Sequence, residues 1–124
     1  MKLFCHIQVK PVNKISFSGP LNDQFRKSGY LVFEADNHSD SYLMEQGKQL
    51  IDEAETILIH FECTDAESLG QIKSLLEKLR KAKTSFVYQL DGQHDTLDNM
   101  LKFLKAGKLE NLFTHLSSNS SASK

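Results

Sequence analysis

The sequence predicts an α/β domain: a single mixed sheet of about five strands carrying three to four helices. Three observations lead there. Residues 2–10 (KLFCHIQVK) alternate in the period-2 pattern of a strand. Residues 56–63 (TILIHFEC) form a nearly continuous apolar run, as expected for a central strand. Runs with helical spacing lie between and after the later strands, so β and α units take turns along the chain.

In the first strand Leu3, Cys5, Ile7 and Val9 share the face predicted to be buried, and Phe4, His6, Gln8 and Lys10 share the other. Pro11-Val12-Asn13 is a turn signal and Lys14–Ser18 (KISFS) alternates again, so the two runs predict a β-hairpin. Gly19-Pro20 ends the second run. Leu21 and Phe25 anchor one helical turn in a polar stretch, and Tyr30–Ala35 (YLVFEA) is a third strand. Asp36–Ser41 is a loop in which Asp40 or Ser41 caps the next helix. Leu43, Gly47, Leu50, Ile51 and Ala54 place that amphipathic helix over 42–55.

After the apolar strand, Leu69, Ile72, Leu75, Leu76, Leu79 and Ala82 mark a second helix. It ends in the basic KLRKAK (Lys78–Lys83), where cations complement the exposed carbonyls. Thr84–Leu90 is the next strand and Asp91-Gly92 a turn. Leu97, Met100, Leu101 and Leu104 give a third helix, interrupted at Ala106-Gly107. Leu109, Leu112, Phe113 and Leu116 give a further short helix or strand. Residues 1–116 are predicted to form the domain, and the polar 117–124 (SSNSSASK) a disordered tail.

Bulk properties remove several function classes. A chain of 124 residues holds one core. Fifteen basic against sixteen acidic residues leave a net charge of -1, so no chain-wide attraction to nucleic acid or anionic membrane is expected. No apolar stretch approaches the ~20 residues that span a bilayer, and polar His6, Gln8 and Lys10 interrupt any signal-like core, so the expected location is the cytoplasm. Cys5 and Cys63 are predicted to be reduced, buried thiols.

His6, His38, His60, His94 and His115 are scattered singly, with no HxxxH or HExxH spacing. There is no GxxxxGK[ST], GxGxxG or GxSxG. No catalytic residue, metal site or cofactor is expected on these grounds, and His60 is expected to be a hydrogen-bonded strand residue.

The segment TDAESLG (Thr64–Gly70) stands out, where the apolar strand gives way to helical spacing. Thr64-Asp65-Ala66-Glu67 fits a capping box, in which the Thr hydroxyl and Glu carboxylate satisfy free helix N–H groups. The longer stretch through LGQIKSLLEKLRKAK, FVYQLDG and LDNMLKFLKAGKLENLF resembles the STAS family, the domain of anti-sigma factor antagonists and sulfate transporter tails. Gly19-Pro20-Leu21 looks like that family's Gly-x-Leu after the second strand. Asp65 matches the family's loop Asp, and Leu69-Gly70 its Leu-Gly. Glu67 stands where the family carries its phosphorylatable Ser, and Ser68 where it usually carries Gly.

The resemblance implies a STAS-like fold and a non-enzymatic cytoplasmic regulatory module. Its switch loop would be Thr64, Asp65, Glu67, Ser68, Leu69 and Gly70, without the usual phosphoserine. The implied partner is a regulatory kinase or anti-sigma-like protein, or a second copy, with no nucleic acid and no membrane. An alternative resemblance, carried by KISFSGPL (Lys14–Leu21), is to the nucleoside 2-deoxyribosyltransferase and N-glycosidase group. It implies a nucleotide-processing enzyme using Gly19, Asp65 and Glu67. A third reading is a structural subunit that oligomerises through sheet edges or helix faces.

Overall fold

The computed structural model describes residues 1–17, 19–64, 67–104 and 106–112. Five strands, β1 (Lys2–Val9), β2 (Leu31–Asp36), β3 (Thr56–Cys63), β4 (Phe86–Gly92) and β5 (Ala106–Lys108), form one sheet in the order β2-β1-β3-β4-β5. Helices α1 (Pro20–Lys27), α2 (Ser41–Glu53), α3 (Ile72–Lys81) and α4 (Asp95–Leu101) connect them. The α/β class and the numbers of strands and helices agree with the sequence reading, but the fifth strand is Ala106–Lys108, where the sequence predicts a helix interruption, and 14–18 forms no strand among the described residues.

Every strand pair is parallel, which corrects the expected hairpin. β1 already has β2 on one side and β3 on the other, so no edge is left for a hairpin partner. The stretch after β1 forms a 3₁₀ turn at Val12–Lys14 and then runs extended without a strand partner. Gln8 satisfies this segment instead: its side-chain amide donates to the Ser16 carbonyl and accepts from the Ser16 N–H. One side chain thus supplies both bonds that a neighbouring strand would have offered.

The central position of β1 also corrects the one-sided burial expected of it. Phe4, His6 and Gln8 are as buried as Leu3, Cys5 and Ile7. The main core lies under α2, α3 and α4, with Ile7, Ile59, Phe61, Ile51, Ile72, Leu75 and Leu97 in one cluster. On the opposite face a smaller cluster joins Phe4, Phe25, Tyr30, Leu58 and Leu112. Phe25 stacks on Phe4 with ring centroids 4.1 Å apart and meets Tyr30 edge-on at 5.0 Å.

α1 is two turns long, not one. Pro20 at its first position needs no N–H partner and has the right φ, so the Gly19-Pro20 break begins a helix. Asp40 caps α2 through a bond from the Leu43 N–H, as expected. The capping box at Thr64 does not form. α3 starts at Ile72 behind Gln71, and the Glu67 N–H bonds to the Thr64 carbonyl. The helix is displaced because Leu69 drops into the core and Gly70 takes a φ of 54°, a left-handed turn that must be completed before the helix begins. Phe113, Leu116 and the polar tail 117–124 lie outside the described residues.

Candidate functional site

Strand order reverses between β1 and β3: β1 leads out to β2 at one edge, while β3 leads to β4 and β5 at the other. In open parallel sheets the crevice beyond the carboxyl ends of the strands at such a point is the usual ligand position. Here it is an open depression lined by Lys10, Glu62, Cys63, Asp91 and Gly92.

The face of the sheet leading up to this depression is polar, which is unusual for a parallel sheet covered on both sides. Register makes it so. His6 lies between Glu34 of β2 and His60 of β3, with Gln89 of β4 beyond; two residues on, Gln8 lies between Asp36 and Glu62, with Asp91 beyond. The two imidazole rings stack with centroids 5.1 Å apart, and the Phe17 ring meets His6 edge-on.

Hydrogen bonds fix the protons. Asn22, buried on α1, donates its amide to Glu34 at 2.7 Å and to His6 Nδ1 at 3.0 Å. A carboxylate only accepts, so the amide nitrogen faces both partners and His6 carries its proton on Nε2. That proton goes to Glu62 Oε1, 2.8 Å away, while Lys10 Nζ holds Glu62 Oε2 at 2.6 Å. His60 Nε2 donates to Asp91 Oδ2 at 2.6 Å, and Gln89 binds both oxygens of the same carboxylate. His60 Nδ1 lies 3.7 Å from Glu62 Oε1. It is buried and without a hydrogen-bond partner among the described residues.

These contacts set the charge states. Burial pushes the His6 pKa down, against the pull of Glu62. Burial acts to raise the Glu62 carboxyl, but the hydrogen bonds from Lys10 and His6 and the Lys10 charge outweigh it and hold it below its usual range. Asp91 is lowered in the same way, against burial, by His60 and Gln89. The site therefore holds a neutral His6 beside ionised Glu62 and Asp91, with His60 Nδ1 unpartnered 3.7 Å from Glu62 Oε1.

The sequence-predicted loop borders this site. Asn37 links the two: its Oδ1 accepts from the Lys10 N–H at 3.1 Å, and its Nδ2 donates to the Ser68 carbonyl at 2.8 Å. His94 Nε2 donates to the Glu67 carbonyl, while His94 Nδ1 caps α4 by accepting from the Leu97 N–H. The loop backbone is thereby clamped from both sides, with Leu69 buried and Thr64, Ser68 and Gly70 exposed. Asp65 lies outside the described residues. No hydrogen bond joins Glu67 to Gly19 among the described residues.

Sequence reasoning missed His6, His60, Glu62, Asp91, Lys10 and Asn22 because they share no local motif. The available signal was the polar residues inside two strands that are otherwise apolar. Cys5 and Cys63 are buried free thiols, as predicted, each pushed up to about 12 by burial. Only the thiolate reacts, so native protein at neutral pH is expected to resist iodoacetamide about a thousandfold better than urea-unfolded chain. Rapid labelling of the native protein, read by mass spectrometry, would contradict this burial.

Residues 56–63 form β3 and 72–81 form α3, and the hairpin expected upstream is not formed among the described residues. Comparison of the chain with family models, curated proteins and solved structures gives no match.

Proposed function

We propose that this protein is a regulatory binding module that works from the carboxyl edge of its sheet. The depression at the order reversal takes a small polar or charged ligand, and the clamped loop beside it presents a surface to a protein partner. The observation that carries this reading is the polar ladder of His6, His60, Glu62 and Asp91 inside a parallel sheet, leading to an open depression. Burying such groups costs stability unless they are fully paired, and one imidazole nitrogen is not. A fold that only needed a core would place apolar residues there.

Asn37 supports the regulatory half, because it bonds to Lys10 at the site and to Ser68 in the loop. The partner class that the STAS resemblance brings is a kinase or anti-sigma-like protein. The nucleotide-processing alternative asks Glu67 to face Gly19, and no observation favours that arrangement.

The test is a thermal-shift panel of nucleotides, sugar phosphates, amino acids and organic acids on the full chain. A ligand at a hundred times its Kd adds about 2.7 kcal/mol of stability, a shift of several degrees. The shift is expected to vanish in His60→Ala and Glu62→Gln, and ligand binding is expected to slow amide exchange at Leu69–Ile72. A panel without effect on the wild type, or a shift that both variants retain, would overturn the proposal.

A further inference from the structure

We infer that His6 Nε2, His60 Nδ1 and Glu62 Oε1 form a binding site for a divalent transition-metal ion such as zinc. This inference rests on the ligand-binding reading of the same cluster and names the ligand's chemistry. One ligand atom from each of these three residues lies within 4.8 Å of the other two. Two imidazoles and one carboxylate, with the fourth position left to water or substrate, are a donor set that suits zinc and related ions.

Two of the three donor spacings are near those of a bound ion. Zinc bonds of about 2.0–2.1 Å at tetrahedral angles put neighbouring donors roughly 3.3 Å apart. The Glu62 oxygen is 2.8 Å from His6 Nε2 and 3.7 Å from His60 Nδ1, so both distances straddle that value. The bare His60 nitrogen is the independent sign: the residue is 6% exposed, yet this atom has no hydrogen-bond partner among the described residues.

The outer contacts also suit a metal. Ligating imidazoles usually bond their second nitrogen to a carboxylate or amide, which fixes the ring. His60 has Asp91 in that role, whereas His6 Nδ1 accepts from the Asn22 amide and takes that role only once the amide is reversed. Without metal, the His6 proton sits on Nε2 between the ring and Glu62. For an ion to take that place, the His6 proton must move to Nδ1 and the Asn22 amide must turn its oxygen to the ring, giving up its bond to Glu34 Oε2. Arg26, 3.6 Å from the other oxygen of Glu34, remains as that carboxylate's partner.

Lys10 is the counterweight, since its ammonium occupies the second oxygen of Glu62. It competes with a cation for the same carboxylate. Removing it is expected to strengthen metal binding.

The experiment titrates Zn²⁺ alone into metal-stripped full-length protein by calorimetry, with Co²⁺ absorption to report tetrahedral coordination. One ion per chain is expected. His60→Ala should weaken binding at least a hundredfold and Glu62→Gln at least tenfold. Asp91→Asn leaves all three donors in place and should cost about tenfold through the outer contact. Lys10→Met should bind several times tighter. Long-range ¹H–¹⁵N spectra should show Zn²⁺ moving His6 Nε2 and His60 Nδ1, which keeps the test valid if a variant folds poorly.

Absence of saturable binding overturns the inference, as does binding that His60→Ala and Glu62→Gln retain. Signals moving at His38, His94 or His115 instead also overturn it. So does weakening by Lys10→Met equal to that by Glu62→Gln, which would mark a lost salt bridge, not a lost ligand. If zinc fails but the organic panel still shows a His60-dependent shift, this inference falls alone. If neither responds, the ligand-binding reading falls with it.

Discussion

Phe25→Ala lowers the unfolding free energy by about 3–5 kcal/mol, the range for deleting a fully buried aromatic ring. Phe25 is completely buried, stacked on Phe4 and edge-on to Tyr30. It is also the only apolar residue of α1 that is fully buried, Asn22 being the other buried position. The main core on the opposite face cannot compensate, because the sheet separates the two clusters. Urea denaturation measures the loss. Phe25→Leu, which restores most of the volume, should recover the larger part of it. A loss below about 1 kcal/mol would mean that α1 is not held by this ring stack. The effect reaches the site as well, since α1 brings Asn22 onto His6, and the His6 ring signals should shift in the alanine variant.

Gly92→Ala is expected to cost at least about 3 kcal/mol, combining backbone strain with a steric clash. Gly92 has a φ of 87°, and a Cβ there would stand 2.0 Å from the Cys63 carbonyl oxygen. That oxygen belongs to the neighbouring central strand, so it cannot swing aside as a side chain would. Gly29 provides the control. Its φ is 90°, but a Cβ there meets nothing within 4 Å, so Gly29→Ala should cost only the strain of about 1–2 kcal/mol. Equal losses in the two variants would show that the close approach to Cys63 is absent. Moving Cys63 also displaces Glu62, so Gly92→Ala is expected to weaken ligand binding more than Gly29→Ala does.

Element type was legible wherever one face of an element meets one environment. The leucine and isoleucine spacing of α2 and α3, the apolar run of β3 and the Asp40 cap all come from local rules and stand in the structure. Strand pairing was not legible in the same way. The alternation in Lys14–Ser18 has the pattern of a strand, but a ladder also needs a free edge, and β1 has none. Thr64 and Glu67 have capping-box spacing, but burial of Leu69 delays the helix to Ile72, about two turns later.

The loop was identifiable in advance because it interrupts two strong patterns. The polar cluster beneath it was not, because it depends on register. His6 meets His60 only when β1 and β3 are parallel and aligned at those residues, and the hairpin reading gave His6 a different neighbour. A glutamate and two histidines in apolar strands were the visible trace of that arrangement.

The position of β1 has a consequence for synthesis. Among the five described strands it leaves the ribosome first, yet Leu3 pairs with Leu31 and with Ile57. The middle of the sheet therefore waits unpaired, with Leu3, Phe4, Ile7 and Val9 open to solvent, until residues 56–63 have emerged. Non-local parallel pairing of this kind folds slowly and leaves nascent chains prone to aggregation. Ribosome-bound chains ending before residue 56 should thus be the ones that a chaperone retains, and those extending well past residue 63 the ones that it releases.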